Sequence, residues 1–286
     1  MKTGVIGLGA MGIGMALNLH KTGHLAAFWN RSPERSKPLS EQTGIAASNS
    51  PVDVAAQCDL IIICVSRDAD VLEVVKAMLP NVKKGTVVID TSTVSSDTAK
   101  QVAELLRPVG ADFLDSPVSG GVEGAKNGTM AMMIGGDEAV LESVRSVLET
   151  IGGNIVYMGS TGSGQATKAV NQIMAAGINQ AVTDALAFGE SMGLDMEKVV
   201  DVVGSGAAAN WFLDHRGKTM LKNEFSTGFK VALHHKDLSI CHDMANAPLP
   251  SVEMTLKDYD QLIAGGYGEE DISSLFRIKR EIQNKD

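Results

Sequence analysis

Six residues near the start constrain this chain more than any others. Gly7-Leu8-Gly9-Ala10-Met11-Gly12 sets three glycines in GxGxxG order, directly after the short apolar run from Thr3 and at the opening of a helical pattern. Each glycine has a physical task in that setting. The first permits a tight turn, the second lets backbone N–H groups approach a pyrophosphate, and the third allows close packing of the helix. The positive end of the helix then favours the anion. The motif predicts a strand–turn–helix unit that binds a dinucleotide through Gly7, Gly9, Ala10, Met11 and Gly12.

The glycine loop heads a longer rhythm. Short apolar runs alternate with helical patterns as far as Tyr157, which predicts βαβ units and a mostly parallel sheet. Strands are expected near 3–7, 25–29, 60–65, 86–89, 112–114, 129–134 and 154–157, with helices opening near Met11, Pro33, Pro51, Ala69, Ser95 and Glu138. Ser32-Pro33 and Ser50-Pro51 have the form of N-caps followed by first-turn prolines. The segment from Gly159 to Gly164 is turn-rich, and every pattern beyond it is helical: a long stretch from about Gln165 to Met192, then 196–203, 211–222, 233–247, 251–264 and 272–279. The long stretch has few charges, so most of its faces need cover. These patterns predict an α/β Rossmann-type N-terminal domain with a parallel-rich sheet, residues 1–161. An all-α C-terminal domain, residues 162–286, joins it through a long interdomain helix.

Charge and cysteine content narrow the partners. The chain has 25 Lys and Arg against 34 Asp and Glu, a formal net charge of −9. That balance argues against a nucleic acid or an anionic membrane as the main partner. Cys58, Cys64 and Cys241 show no CxxC spacing and are odd in number, which supports neither a disulfide framework nor a zinc knuckle. Reduced thiols in a cytoplasm are expected. The opening residues lack the apolar run and cleavage site of a signal peptide, and no apolar stretch reaches the roughly 20 residues of a membrane span.

The end of the second expected strand selects the cofactor. An acidic residue there would accept from a ribose 2′-hydroxyl and repel a 2′-phosphate. This chain has Asn30-Arg31-Ser32 instead. Arg31 can pair with the phosphate, while Asn30 and Ser32 can donate hydrogen bonds without adding negative charge. NADP(H) is the expected preference, with NAD(H) also compatible.

Gly7 to Gly12, continued by Met15, Ala16, Asn18, Leu19, Gly23 and His24, resembles the β-hydroxyacid dehydrogenases. Three further blocks match in the family's order: Asp115-Ser116-Pro117-Val118-Ser119-Gly120-Gly121, then Gly164 through Lys168 to Asn171, then Lys236-Asp237-Leu238. The resemblance implies that Lys168 is the catalytic acid/base, that Ser119, Gly120 and Gly121 hold a substrate carboxylate, and that Asn171 orients substrate or lysine. It also implies that Val65, Thr93 and Lys236 lie on the nicotinamide side of the cofactor. The residue types suit those roles. A hydroxyl and consecutive N–H groups in a glycine turn fit an oxyanion, and a lysine three residues before an asparagine shares its helix face. Two positions depart from the family pattern: Gln172 stands where many relatives have a second Asn, and the connection from Met244 to Leu249 is short.

The stretch from Ala209 to Arg216 falls where the family's second domain covers the active site, so Trp211 and Phe212 are expected to contact substrate and exclude water. Arg216 could pair with a second substrate carboxylate but is more simply a solvated arginine. His234, His235, Asp237 and His242 crowd one region, but His235 and His242 lie two helical turns apart, which disfavours a metal centre. A non-catalytic NADP-binding module would need no lysine and carboxylate turn together. Imine reductases on the same architecture normally lack the lysine, and Gly162-Ser163-Gly164 is too short for a hydrolase elbow. The expected protein is an NADP(H)-preferring oxidoreductase that interconverts a short-chain β-hydroxyacid, 3-hydroxyisobutyrate-like, and its semialdehyde. Succinic or tartronate semialdehyde is the alternative substrate. A homodimer or homotetramer is expected, from apolar helices that a small helical domain cannot bury alone.

Overall fold

The computed structural model describes residues 1–226 and 228–283, so position 227 and the last three positions of the expected helical domain lie outside it. The chain divides into two compact units, residues 1–168 and 169–286.

The first unit is built on strands β1 (Thr3–Ile6), β2 (Leu25–Trp29), β3 (Leu60–Ile63), β4 (Val87–Asp90) and β5 (Asp112–Asp115), all parallel, in the order β2-β1-β3-β4-β5. Every residue of β1, β3 and β4 is buried. Alternation sorts their side chains to two faces. Val5, Leu60, Ile62, Val87 and Ile89 join one core, and Ile6, Ile61, Ile63 and Val88 join the other. Helices cover both sides: α1 (Gly12–Lys21), α2 (Lys37–Thr43), α3 (Pro51–Gln57), α4 (Asp68–Met78) and α5 (Ser96–Leu106). Ser50 caps α3 as expected, accepting from Asp53 N, and Ser95 caps α5, accepting from Thr98 N, whereas Ser32 makes no side-chain cap bond. Pro33 opens only a 3-10 turn, and α2 begins at Lys37. Because β1 lies between β2 and β3, the strand order reverses there, and the glycine loop follows β1 at that switch point.

The sheet continues through β6 (Val118–Ser119), β7 (Met130–Gly135) and β8 (Gly152–Gly159), with α6 (Gly121–Asn127) between β6 and β7 and α7 (Glu138–Leu148) between β7 and β8. β7 runs antiparallel to β5 and β6 and parallel to β8. The sequence patterns did not announce β6 or α6. Two residues carry no periodicity, and α6 contains two glycines with poor intrinsic propensity. Packing forms it: Asn18 of α1 donates to the carbonyls of Ala125 and Lys126, at 2.9 and 3.2 Å.

The second unit is helical. Its axis is α8 (Ser163–Ser191), 29 residues and about 43 Å long. There follow α9 (Met196–Gly204), α10 (Trp211–Leu221), α11 (Val231–Met244), α12 (Pro250–Ala264) and α13 (Phe276–Gln283), the last entered through a 3-10 turn at Ile272–Leu275. Ala176, Leu186, Val200, Leu213, Leu238, Tyr259 and Phe276 are among its core residues. Among the described residues no helix is long and apolar enough to cross a membrane. The division between the units falls inside α8, after Lys168, whereas composition changes at the turn before it. Hydrogen bonds explain the position. The Gln165 side chain donates to Ser92 O at 2.8 Å and accepts from Val94 N at 3.1 Å, which ties the first turn of α8 to the sheet.

Candidate active site

The glycine loop is held at both ends. Gly7 has φ 98°, a left-handed conformation, and a side chain there would run into the Cys64 carbonyl. Leu8 N donates to Asn30 Oδ1 at 2.8 Å, and Asn30 Nδ2 donates to Ser32 O at 3.0 Å. Asn30, expected to donate to the cofactor, therefore uses its amide to pin the loop against the end of β2. The residues fit a bound pyrophosphate on two observations. A Cβ built on Gly9 meets nothing within 4 Å, so the loop is open there. Met11 at the N-cap of α1 makes no side-chain cap bond, and the first turn holds no acidic residue. Arg31 is 71% exposed, and its guanidinium pairs with Asp70 of α4 at 2.8 Å.

The loops after β3 and β4 are joined by Ser92, whose hydroxyl accepts from Val65 N at 2.9 Å. Ser92 N in turn donates to Asp90 Oδ1 at 3.0 Å. Burial pushes the Asp90 carboxyl up to about 7 against the lowering effect of the Ser92 hydrogen bonds. Thr93 is half-buried and lies between Ser92 and Val94, both held by Gln165. Ser92 and Gln165 escaped the sequence reading because their partners lie 27 and 73 residues away along the chain.

At the other end of the sheet, Gly120 (φ 130°) and Gly121 (φ 60°) turn the chain after β6 in conformations that L side chains rarely adopt. Both glycines are exposed and Ser119 is half-buried. Lys168 comes to this turn from α8. Its side chain is 7% exposed, and Nζ donates to Val118 O at 2.9 Å, one residue before Ser119. A buried amine, a serine hydroxyl and an open glycine turn are thus brought together within the first unit.

In the second unit the expected residues form a chain of side chains. Asn171 Nδ2 donates to Gln172 Oε1 at 2.7 Å, Gln172 Nε2 donates to Asp237 Oδ2, and Asp237 Oδ1 pairs with Lys236 Nζ at 2.8 Å. The longer amide of Gln172 is what reaches the carboxylate. Asn171 lies three residues after Lys168 on α8. His234 is shared between Tyr259 Oη at 3.0 Å and Gln172 O at 3.2 Å, and His235 bonds Asp260 at 2.9 Å. Among the described residues no group of three or more His, Cys, Asp and Glu is placed to hold a metal. Trp211 is 62% exposed and stacks on His215, whereas Phe212 packs into the helical core. Arg216 pairs with Asp271 at 3.3 Å.

A glycine loop at a sheet switch point, with a buried lysine beside an open glycine turn, defines a nicotinamide-dependent dehydrogenase acting on a hydroxyl group. Residues 2–159 match the family described as the NAD binding domain of 6-phosphogluconate dehydrogenase, and residues 162–278 match the NAD-binding segment of NADP-dependent 3-hydroxyisobutyrate dehydrogenase. The 2-hydroxy-3-oxopropionate reductase of Escherichia coli is 37% identical, covering 99% of each chain. The mitochondrial 3-hydroxyisobutyrate dehydrogenase of Mus musculus is 32% identical, over 97% of this chain and 87% of that one. Among solved structures, the 3-hydroxyisobutyrate dehydrogenase of Mycobacterium tuberculosis with L-serine superposes with a TM-score of 0.88 at 30% identity, covering 98% of this chain and 99% of that chain. The chain belongs to the β-hydroxyacid dehydrogenase family.

Proposed function

We propose that the protein is an NADP(H)-preferring oxidoreductase interconverting a short-chain β-hydroxyacid of the 3-hydroxyisobutyrate type and its semialdehyde, with Lys168 as general acid/base. The observation that carries this reading is the buried Lys168 amine at 2.9 Å from Val118 O, immediately before Ser119. The Ser119 hydroxyl and the N–H groups of Gly120 and Gly121 hold the substrate carboxylate. NADPH, held by the Gly7 to Gly12 loop, would supply the hydride for reduction of the carbonyl carbon. Lys168 gives a proton to the carbonyl oxygen, so aldehyde, hydride and proton yield the alcohol; in oxidation the neutral amine takes that proton back. Gly7 to Gly12 hold the pyrophosphate, and Val65 and Thr93 border the nicotinamide. Asn171, assigned to substrate, and Lys236, assigned to the cofactor, are tied together through Gln172 and Asp237. Trp211, exposed at the head of α10, is the aromatic available to meet substrate.

Arg31 supports the NADP(H) preference. A 2′-phosphate brings more negative charge to the guanidinium than the Asp70 carboxylate it displaces. A second substrate, 2-hydroxy-3-oxopropionate (tartronate semialdehyde), is favoured by the Escherichia coli relative that carries that name. Exposed Val170, Met174 and Ile178, at four-residue spacing on α8, with Phe188 and Met192 further along, support a homodimer or homotetramer. Light scattering of the purified protein reads that state directly. A cytoplasmic location goes with the reduced thiols. A panel of short semialdehydes, followed at the nicotinamide absorbance with NADPH and with NADH, tests the reaction. Turnover of a carboxylated C3 or C4 semialdehyde is expected, and failure with every member would overturn the reading.

A further inference from the structure

The Asp115 carboxylate has no part in the chemistry above, yet it is completely buried at the C-terminal end of β5. Its two oxygens accept from two backbone N–H groups at the start of α8: Oδ1 from Gly162 at 2.7 Å and Oδ2 from Gln165 at 2.9 Å. The space it occupies is cut to its size. A Cβ on Gly164 would lie 2.8 Å from Asp115 Oδ2, and a Cβ on Gly135, its partner across β7, would lie 2.9 Å from Asp115 Cγ. A side chain at 164 or 135 would therefore collide with the carboxylate, and both positions are glycine.

The position of this carboxylate closes a ring. From Asp115 the chain runs three residues to Val118 at the start of β6, whose carbonyl accepts from Lys168 Nζ. Lys168 lies three residues along α8 from Gln165, whose N–H returns to Asp115. A lysine side chain has a long flexible stem, so its contact with Val118 cannot by itself fix where the amine stands. What fixes it is the placement of the first turn of α8, which two hydrogen bonds to one carboxylate hold against the end of β5, beside the Gln165 side-chain bonds to Ser92 and Val94. Resting on the reading of Lys168 as acid/base, we propose that Asp115 is a positioning residue that holds the start of α8 so that the Lys168 amine stands at the Ser119–Gly121 turn.

Asp115→Asn keeps size and one acceptor but turns an N–H donor toward a backbone N–H. A displacement of about 1 Å at the amine costs on the order of 100-fold in rate. The expected result is therefore a kcat for semialdehyde reduction lower on the order of 100-fold, corrected for folded fraction, with the Kd for NADPH within about twofold of wild type. Deuteride from 4-deuterated NADPH should show a larger primary isotope effect, because the chemical step becomes limiting. Val144→Ala, on the buried face of α7, serves as the comparison for lost stability alone and should leave kcat and isotope effect unchanged. If Asp115→Asn does not fold, Asp115→Ser removes the opposed donors and carries the same expectation. Lys168→Ala, run alongside, separates the two ideas. Near-normal kcat in Lys168→Ala removes the acid/base reading itself. Inactive Lys168→Ala with a folded Asp115 variant at wild-type kcat overturns only the positioning role.

Discussion

The two units hold their functional groups in different ways. In residues 1–168 four of these side chains are pinned to the main chain of another element: Asn30 to Leu8 N, Ser92 to Val65 N, Asp115 to Gly162 and Gln165 N, and Lys168 to Val118 O, while Arg31 pairs with the Asp70 side chain. In residues 169–286 side chain holds side chain, from Asn171 through Gln172 and Asp237 to Lys236. A main-chain partner stays wherever the fold puts it. A side-chain partner moves when its own neighbour changes. Substitutions in the first unit should therefore act one at a time, and those in the second should be felt along the chain.

Lys168→Ala sharpens the contrast most. Loss of a general acid/base predicts a fall in kcat on the order of 1,000-fold, with NADPH affinity unchanged in a fluorescence titration. Arg31→Ala comes next. Removing a charge-assisted partner of a 2′-phosphate should weaken NADPH binding on the order of tenfold or more and leave NADH binding nearly unaltered. Asp70→Asn, which releases the guanidinium, should shift the same titration the other way by a smaller factor. Equal losses for both cofactors in Arg31→Ala would remove the specificity role.

The helical chain is tested by a double-mutant cycle on Gln172→Met and Asp237→Asn, read by urea unfolding. Gln172→Met leaves the buried Asp237 oxygen without its donor and should cost about 1–3 kcal/mol, Asp237→Asn weakens a charge-assisted bond and should cost less, and the double change should cost less than the sum by about 1 kcal/mol. Strict additivity would break the comparison. Ser92→Ala and Asn30→Ala, which share no partner, should add.

The smallest effect concerns Asp90. Its folded carboxyl titrates at about 7, above the unfolded value of 3.8. Between those values the unfolded chain binds fewer protons than the folded one, so this group makes stability fall as pH rises from about 4 toward 7 and leaves it lowest above 7. Asp90→Asn should flatten that slope, raising Tm at pH 8 by a few degrees and changing it little at pH 4. A Tm gain of equal size at both pH values would contradict the assignment.

Much of the first unit was legible because its strands are apolar on both faces. Ile61, Ile62 and Ile63 can lie only in a sheet covered twice, and GxGxxG at the end of β1 names the loop. The long helix was legible from length and low charge. β6 and α6 were not, because long-range packing of α6 on α1 forms what local propensity does not. The site divides in the same way. Lys168 and the Ser119 turn were visible as motifs, while Asp115 stood in a quoted motif without a task, since its donors lie 47 and 50 residues further on. Asn30 was assigned to the cofactor because neighbouring residue types fit one, and only the fold shows its amide turned to Leu8.

The most direct test of the lysine is a crystal structure of the ternary complex with NADP+ and the preferred hydroxyacid. The substrate hydroxyl is expected within about 2.6–3.2 Å of Lys168 Nζ, with its carboxylate on Ser119 Oγ and the N–H groups of Gly120 and Gly121. A hydroxyl bound out of reach of the amine, with Nζ turned into solvent, would contradict the account.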